Sequence, residues 1–540
     1  MKKYIQYAFT ALAFMGLTTS CDNFGDVNTD PEHLNEGNIS YAMVFTNAQH
    51  QALGSDWDIW RNGIIYGAQW NQHIAAGGWW WSYGLNSFSE GYSAALWDCY
   101  SGDRSCIRDV VTSMNYWKDN NVEDCYQIAR IMRAYIFHRM TDMYGDIPYS
   151  EAALPNLFSY PKYDSQEFIY KDMLKEIDEA QSALGTGFAS MGKHDIYFNG
   201  DMTAWKKFAN SLMLRLGMRL SKVDPAEAQK WVAKAYENGV ILKNEDNCIL
   251  NHPGASVNDD SSEPYAKVFS QLDPAVGFIN TTFFDILKSK NDPRIPLIMC
   301  VVKDNPKAPF TSPDFTYGDS NPDIQKGMPG LYSMSVSSDY FIGKYHPEFN
   351  DPDLLANDKY KSVYSQPNRK TYADPEAPTF VITAAQTNLL LAEAAHRGWI
   401  KGSAEEFYNA GVRAAMEQFS QFPNGKKLYD TYMSAEKIQE YLTNNPFDPS
   451  KALEQINTQY WITCFCDEYE TFSNWRRSGY PELTYPNLSE KEVPGVNHNL
   501  SRRFTYPTNE SLINGEHYSE AVNKLELGNT FESRVWWDKK

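Results

Sequence analysis

The chain has 540 residues and a formal net charge of −19, from 49 Lys and Arg against 68 Asp and Glu. Such a charge makes a nucleic-acid backbone an implausible partner and disfavours an anionic bilayer surface. With 42% hydrophobic and 22% charged residues the composition is that of a folded globular protein, long enough for several domains or one large helical body. The anomaly is aromatic: 35 Tyr, 28 Phe and 15 Trp.

The first twenty residues read separately. Lys2 and Lys3 form a basic start, Ala8 to Leu17 an apolar stretch, and Thr18, Thr19 and Ser20 lead to Cys21. This is the layout of a secretory signal. The Cys directly after small residues resembles a bacterial lipobox, although Thr18 stands where Leu is usual and Leu17 one step earlier. The expectation is a signal peptide over 1–20, a lipid on Cys21 and a polar tether over 21–38, followed by one body over 39–540. A plain signal peptide that happens to meet a Cys is the alternative. Seven further Cys remain, of which Cys99 and Cys106 are the candidate disulfide in an oxidising compartment. Cys464 and Cys466 lack redox or zinc spacing, and the rest read as buried thiols. Beyond the N-terminus no apolar run approaches the ~20 residues of a membrane-spanning helix.

Helical periodicity starts with Ile128, Ile131, Met132, Tyr135, Ile136 and Met140, an amphipathic stripe. Tyr170, Met173, Leu174, Ile177 and Leu184 repeat it between Asp164-Ser165 and Gly185. Trp205, Phe208, Leu212, Leu216 and Leu220 make a third stripe, ended by Asp224-Pro225, and Ala226 to Asn238 a fourth, stopped by Gly239. Two more run over Thr383 to His396 and Ala404 to Phe419. Paired helices with short connectors suggest stacked hairpins of tetratricopeptide type, although no regular 34-residue repeat is visible. From 250 to 380 Pro, Gly, Asp, Asn and Ser crowd the line. That stretch reads as long ordered loops with a few short strands, and such loops are more often functional than idle.

The motifs of enzymes are missing. No two of the ten His lie within one helical turn, which removes local paired-His metal sites. Neither a phosphate-binding glycine loop nor G-x-S-x-G occurs. Asp56 with Asp58, or Asp467 with Glu468 and Glu470, could supply a glycosidase pair, but that chemistry needs a set separation across a cleft. In an acidic chain such clusters are usually solvated surface. Asn258-Asp259-Asp260 lacks the spacing of a calcium loop. No cofactor or metal is expected.

One local feature stands out. Trp57, Trp60 and Trp70 lead to Gly77-Gly78-Trp79-Trp80-Trp81-Ser82-Tyr83-Gly84. Three consecutive Trp cannot share a face of any regular element, so at least one tends toward solvent or a partner. The glycines mark a loop. An exposed indole suits the C–H face of a sugar ring, whereas a wedge filling the core is the plain alternative.

Further stretches, taken in order, resemble one family. They are Tyr144-Gly145-Asp146-Ile147-Pro148-Tyr149, Trp205 to Leu212 with Leu214-Arg215-Leu216, and Ala392-Glu393-Ala394-Ala395. Glu470 to Pro481, Arg502-Arg503-Phe504-Thr505-Tyr506-Pro507-Thr508-Asn509-Glu510 and Trp536-Trp537-Asp538 complete the set. Behind a lipoprotein-like start, they resemble the SusD/RagB family of outer-membrane nutrient-binding lipoproteins, in its R-R-F-x-Y-P-x-N-E branch.

The resemblance implies a mostly α fold, with four tetratricopeptide-like hairpins supporting a loop-rich ligand-binding face. It also implies surface tethering through Cys21, placement as the lid of a TonB-dependent transporter barrel, and binding of oligosaccharides, or of peptides in some members, without catalysis. The runner-up from the residues alone is an extracellular glycoside hydrolase. The expected ligand surface is Trp79, Trp80, Trp81 and Tyr83, with Trp57 and Trp60 beside it. Arg61, Asn71 and Asn86 would supply hydrogen bonds. Phe315, Tyr317, Tyr332, Tyr340 and Phe341 would form the opposite wall. Arg476 and Arg477 are expected to pair with the acidic Asp467 to Glu470 segment, and Asn509 and Glu510 to serve turn and capping chemistry.

Overall fold

Side-chain caps and apolar stripes set the helices. The computed structural model describes residues 39–100, 104–254, 261–484 and 501–540. The signal segment, Cys21, the tether and Asn258-Asp259-Asp260 lie outside the described residues. The longer helices are α1 Tyr41–Gln51, α2 Cys106–Asp119, α3 Glu123–Tyr144, α4 Gln166–Ala183, α5 Met202–Arg219 and α6 Pro225–Asn238. After a nine-residue α7, Thr281–Ser289, come α8 Ala384–His396, α9 Ala404–Glu417, α10 Ala435–Asn444, α11 Ala452–Thr463 and α12 Glu468–Ser478.

The start signal at Ser165 acts as expected, and Asp201 and Thr383 cap their helices in the same way. Ser165 accepts from the Phe168 N–H, Asp201 from Thr203 and Ala204, and Thr383 with Gln386 forms a reciprocal capping box. Consecutive helices pack on one another from α1 through α6, as do α8 with α9 and α11, and α11 with α12. The fold is mostly α. Strands are short two-stranded pairings: β1 Ile74–Ala76 with β5 Gly277–Ile279, β2 Ile147–Pro148 with β3 Tyr163–Asp164, β4 Cys248–Leu250 with β8 Thr379–Ile382, and β6 Met299–Cys300 with β7 Gln366–Pro367, all antiparallel.

The helical body carries an unusual amount of buried charge. Arg219 of α5 is fully buried and donates to Asp142 of α3 at 3.2 Å and to Glu470 of α12, while Tyr460 donates to Glu470 at 2.7 Å. Burial opposes the Glu470 charge, but Arg215 and Arg219 hold its carboxyl down at about 2. The expected partners of Arg476 and Arg477 are corrected. Arg477 forks onto Glu393 of α8 at 2.7 and 2.8 Å, and Arg476 donates to the carbonyls of Asp142 and Arg502. Asp467, Glu468 and Glu470 are met instead by Arg139, His73 and Arg219. Sequence adjacency misled here because residues within one helix point around it, whereas buried charges pair across helices.

The C-terminal signature closes the end of α3. Phe504 N–H donates to Met143 O at 2.8 Å, Arg503 to Tyr144 O at 3.0 Å, and Tyr506 OH to Asp146 O at 2.7 Å. Two motifs far apart in sequence therefore form one joint. Glu510 accepts from Tyr163 OH at 2.6 Å and so ties this joint to β3. Every described Cys is a free thiol. Cys99 and Cys106, expected as a disulfide, are both buried, and a hydrogen bond to Cys99 together with burial pushes the Cys106 thiol well up.

Part of the loop-rich stretch, with Leu85 from the Trp turn, builds a second, smaller core, while Tyr265, Phe283 and Leu297 of the same stretch join the main one. Leu85, Phe278, Met328, Leu331, Tyr332, Tyr340, Phe341, Ile342, Phe349, Tyr360 and Tyr364 pack together, separate from the main cluster. Trp81 touches both clusters. This stretch is loop-rich as read, but α7 was not legible. Only Phe283, Phe284 and Leu287 make its buried stripe, which is too short to repeat.

Candidate functional site

The Trp run forms one short 3₁₀-helix, Trp79–Leu85, closed by Asn86 in the left-handed region at φ 61°. Three residues per turn send consecutive side chains about 120° apart. Trp79 points outward and is 54% exposed; Trp80 is 1% exposed and belongs to the main core; Trp81 leans on Tyr340, with ring centroids 5.3 Å apart. The turn sits so close to its neighbours that a Cβ at Gly84 would collide with Leu331 and Gln69, and one at Gly77 with Phe278.

Beneath it runs a π-helix, Ile59–Ala68, which supplies the fastenings. Extended π-helix is rare and marks functional sites more often than chance. Gln69, the next residue, donates to the carbonyl of Trp80 at 3.0 Å. Tyr66 OH donates to Ser87 O at 2.8 Å and accepts from Ser89 N–H at 3.1 Å. Asn62 donates to Tyr92 O at 2.8 Å and accepts from Leu96 N–H at 2.6 Å. The loops on both sides of the outward ring are thus held by buried side chains.

Around Trp79 the rings connect. Tyr83 lies 6.0 Å away edge-on and Tyr92 6.1 Å away, with Tyr83 and Tyr92 5.4 Å apart. The Arg61 guanidinium continues the row, 5.3 Å from the Tyr92 ring, 5.6 Å from Trp60 and lying over Trp57. Trp57 is itself 47% exposed. Desolvation lowers the Arg61 pKa to about 10, so it stays charged at neutral pH and acts as the cationic partner of these rings. The result is a row of contacts from Trp79 through Tyr83 and Tyr92 to Trp57, in which Trp79 and Trp57 are exposed and Tyr83 and Tyr92 half-buried. Arg61, expected to offer hydrogen bonds to a ligand, is buried and donates to Trp57 O at 3.2 Å.

Several expected members are elsewhere. Trp80 is a core wedge and offers no platform. Asn86 is buried, donating to Glu532 at 3.2 Å and accepting from Ser501, so it closes the turn. Asn71 is fully buried and donates to Glu468 Oε2 at 2.6 Å. Tyr340, Tyr332 and Phe341 are buried in the second core and form no open wall. Tyr317 is exposed, but its neighbours are Phe315 at 5.4 Å and Lys370 at 5.6 Å rather than the Trp turn. Tyr92 and Asn62 were missed in the sequence. Tyr92 lies in a one-turn helix, Glu90–Ser93, too short to leave a periodic signal.

The carboxylates read as a glycosidase pair are engaged. Asp58 is buried, caps Ser55 N–H at 2.9 Å and pairs with Arg104, while Asp56 faces Lys267 at 3.6 Å. Among the described residues no group of His, Cys, Asp and Glu is placed to hold a metal ion, and no helix is long and apolar enough to cross a membrane.

Residues 82–507 match the SusD-like family described as starch-binding and associating with the outer membrane. A solved structure titled a chitin-binding protein is 29% identical, covers 93% of this chain and 100% of its own, and superposes with a TM-score of 0.74. A SusD-like protein of Bacteroidetes AC2a is 25% identical over the same shares, with a TM-score of 0.76. A SusD homolog from Flavobacterium johnsoniae shares the fold at 23% identity, 92% and 98% coverage and a TM-score of 0.68. No curated protein matches the chain. The chain belongs to the SusD-like family.

Proposed function

We propose that this protein is a non-catalytic glycan-binding lipoprotein of the outer-membrane surface. It takes up neutral oligosaccharides on the Trp79–Tyr83–Tyr92–Arg61–Trp57 surface and hands them to a TonB-dependent transporter barrel. The observation that carries this reading is the outward Trp79 on a turn fixed from below, with further rings and a cation continuing beside it. Flat rings meet the C–H faces of a sugar, and fixed polar groups read its hydroxyls. The net charge of −19 repels anionic polysaccharide and favours neutral cargo. Relatives described by starch and chitin binding support the same class.

Attachment through a lipid on Cys21, with 21–38 as tether to a single body over 39–540, belongs to this reading, since stable anchoring takes more than one acyl chain. The engaged state of Asp56, Asp58 and Glu470 argues against the hydrolase alternative. Incubating the purified protein with malto- and chito-oligosaccharides, and following both binding and cleavage, tests it. Saturable binding without turnover is the expected result. Turnover of any glycan at enzymatic rates supports the hydrolase, and binding of peptides alone supports a peptide-binding member.

A further inference from the structure

The protein carries an exposed apolar patch that the ligand surface does not use. Leu157, Phe158 and Tyr160 stand out from the loop between β2 and β3, and Leu512 and Ile513 from the helical turn Glu510–Ile513. Leu157 is 73% and Leu512 82% exposed. Single exposed apolar side chains are ordinary, but five grouped around one groove mark a contact surface. The groove, of about 510 Å³, is lined by both segments and by Trp97, Tyr100 and Pro148.

Its walls are fixed from within. Tyr100 OH donates to Pro148 O at 2.6 Å, and Asn514 donates to Pro161 O at 2.7 Å, which ties one segment to the other. Ala153, on the wall, is held at φ 57°, a left-handed conformation that a Cβ disfavours. A concave apolar slot suits an extended stretch of protein better than the plane of a bilayer. Arg108, Glu151 and Glu510 also line it, so donors and acceptors stand ready for the C=O and N–H groups of such a stretch.

Charge narrows the occupant. A net charge of −19 opposes a second copy of the chain and an anionic membrane alike. The patch also borders the ligand surface. Glu90, two residues before Tyr92, accepts at the surface from the Thr508 N–H at 2.6 Å and from its hydroxyl, and Leu512 follows Thr508 by about one turn. A protein that receives sugar from the Trp79 row has to close against the border of that row, and this patch is an apolar part of the border.

We propose that this groove, with Leu157, Phe158, Tyr160, Leu512 and Ile513 around it, is the surface on which the transporter barrel docks, seating an extended apolar segment of the barrel. The inference rests on the hand-over reading and gives that reading a place on the chain.

The test is affinity purification of the full-length tagged protein, in detergent, from the cells that make it, with co-purifying proteins identified by mass spectrometry. Wild type is compared with Leu157→Asp/Leu512→Asp and with Phe188→Asp, a position 72% exposed that lies outside the groove. Wild type and Phe188→Asp are expected to bring down a β-barrel transporter. The double variant should lose about tenfold or more of it while oligosaccharide affinity and melting temperature hold. A photocrosslinking p-benzoylphenylalanine placed at position 512 should join the same barrel. Equal recovery of the barrel by the double variant, or a crosslink from 512 to lipid or to a second copy, overturns the docking surface and leaves the hand-over reading standing. Absence of any barrel with wild type overturns the hand-over reading itself, and the docking surface with it.

Discussion

The helical body and the loop-rich face are held together by different chemistry. In the body, Arg219 and Arg477 are fully buried and paired with Asp142, Glu470 and Glu393 across four helices. In the second core the packed side chains are aromatic and aliphatic, and outside it the loop-rich face holds Arg369 against loop carbonyls and pairs Lys303 and Lys307 with aspartates at the surface. Buried ion pairs specify one geometry, since any slip leaves a charge alone in low dielectric. Apolar clusters tolerate repacking provided volume is kept. The body is therefore built to stay fixed while the face above it can change its rings, a division suited to a binding protein.

The largest effect should come from the body. Arg219→Ala leaves Asp142 and Glu470 short of their cation and is expected to cost about 3–5 kcal/mol in urea unfolding. A loss near zero would remove the distinction between the two regions. Trp80→Ala should cost a similar ~3–5 kcal/mol, because it empties a core site, whereas Trp79→Ala one residue earlier should change stability by less than ~1 kcal/mol. Equal losses at 79 and 80 would contradict the outward and inward placement of those rings.

Next comes the seam between the regions. Glu263 is buried, accepts from Ala266 N–H at 2.8 Å and from Thr379 of β8 at 3.1 Å, and burial pushes its carboxyl up to about 7. A raised carboxyl binds its proton more tightly folded than unfolded. Its stabilisation is therefore complete below about pH 4.5 and lost as the pH rises through about 7, a swing of about 3 kcal/mol. Glu263→Gln should flatten that slope in unfolding curves taken between these pH values. Glu470 and Glu393, held down at about 2, act in the opposite sense, and their stabilisation is lost only as the pH falls toward 2. The smallest effect concerns binding alone: Trp79→Ala should weaken oligosaccharide affinity by about 2 kcal/mol with the fold intact, read by calorimetry.

Much of the body was legible in the sequence, because helices announce themselves locally. Ser165, Asp201 and Thr383 cap where their residue types suggest, and the stripes through Tyr135, Tyr170 and Phe208 are buried as their spacing requires. Pairing was not legible. Nothing near Arg477 indicates Glu393, 84 residues away, and nothing in Phe504 indicates the end of α3. The divergence of the three Trp followed from periodicity alone, but which ring faces water depends on Leu331 and Gln69 closing around Gly84. The same dependence on distant contacts places Tyr92, which no local pattern marks, and removes Tyr340 from the expected wall. One is brought to the surface beside Trp79 by Asn62, and the other is covered by Trp81.

The central claim is that the face carries ligand on the outward rings while the body carries stability. A crystal structure of the protein with chitohexaose or maltohexaose bound tests it most directly. The account predicts a sugar ring stacked on Trp79 beside Tyr83 and Tyr92, with the helical body superposing on the unliganded protein. An oligosaccharide bound elsewhere, with Trp79, Tyr92 and Trp57 all free of contact, would contradict it.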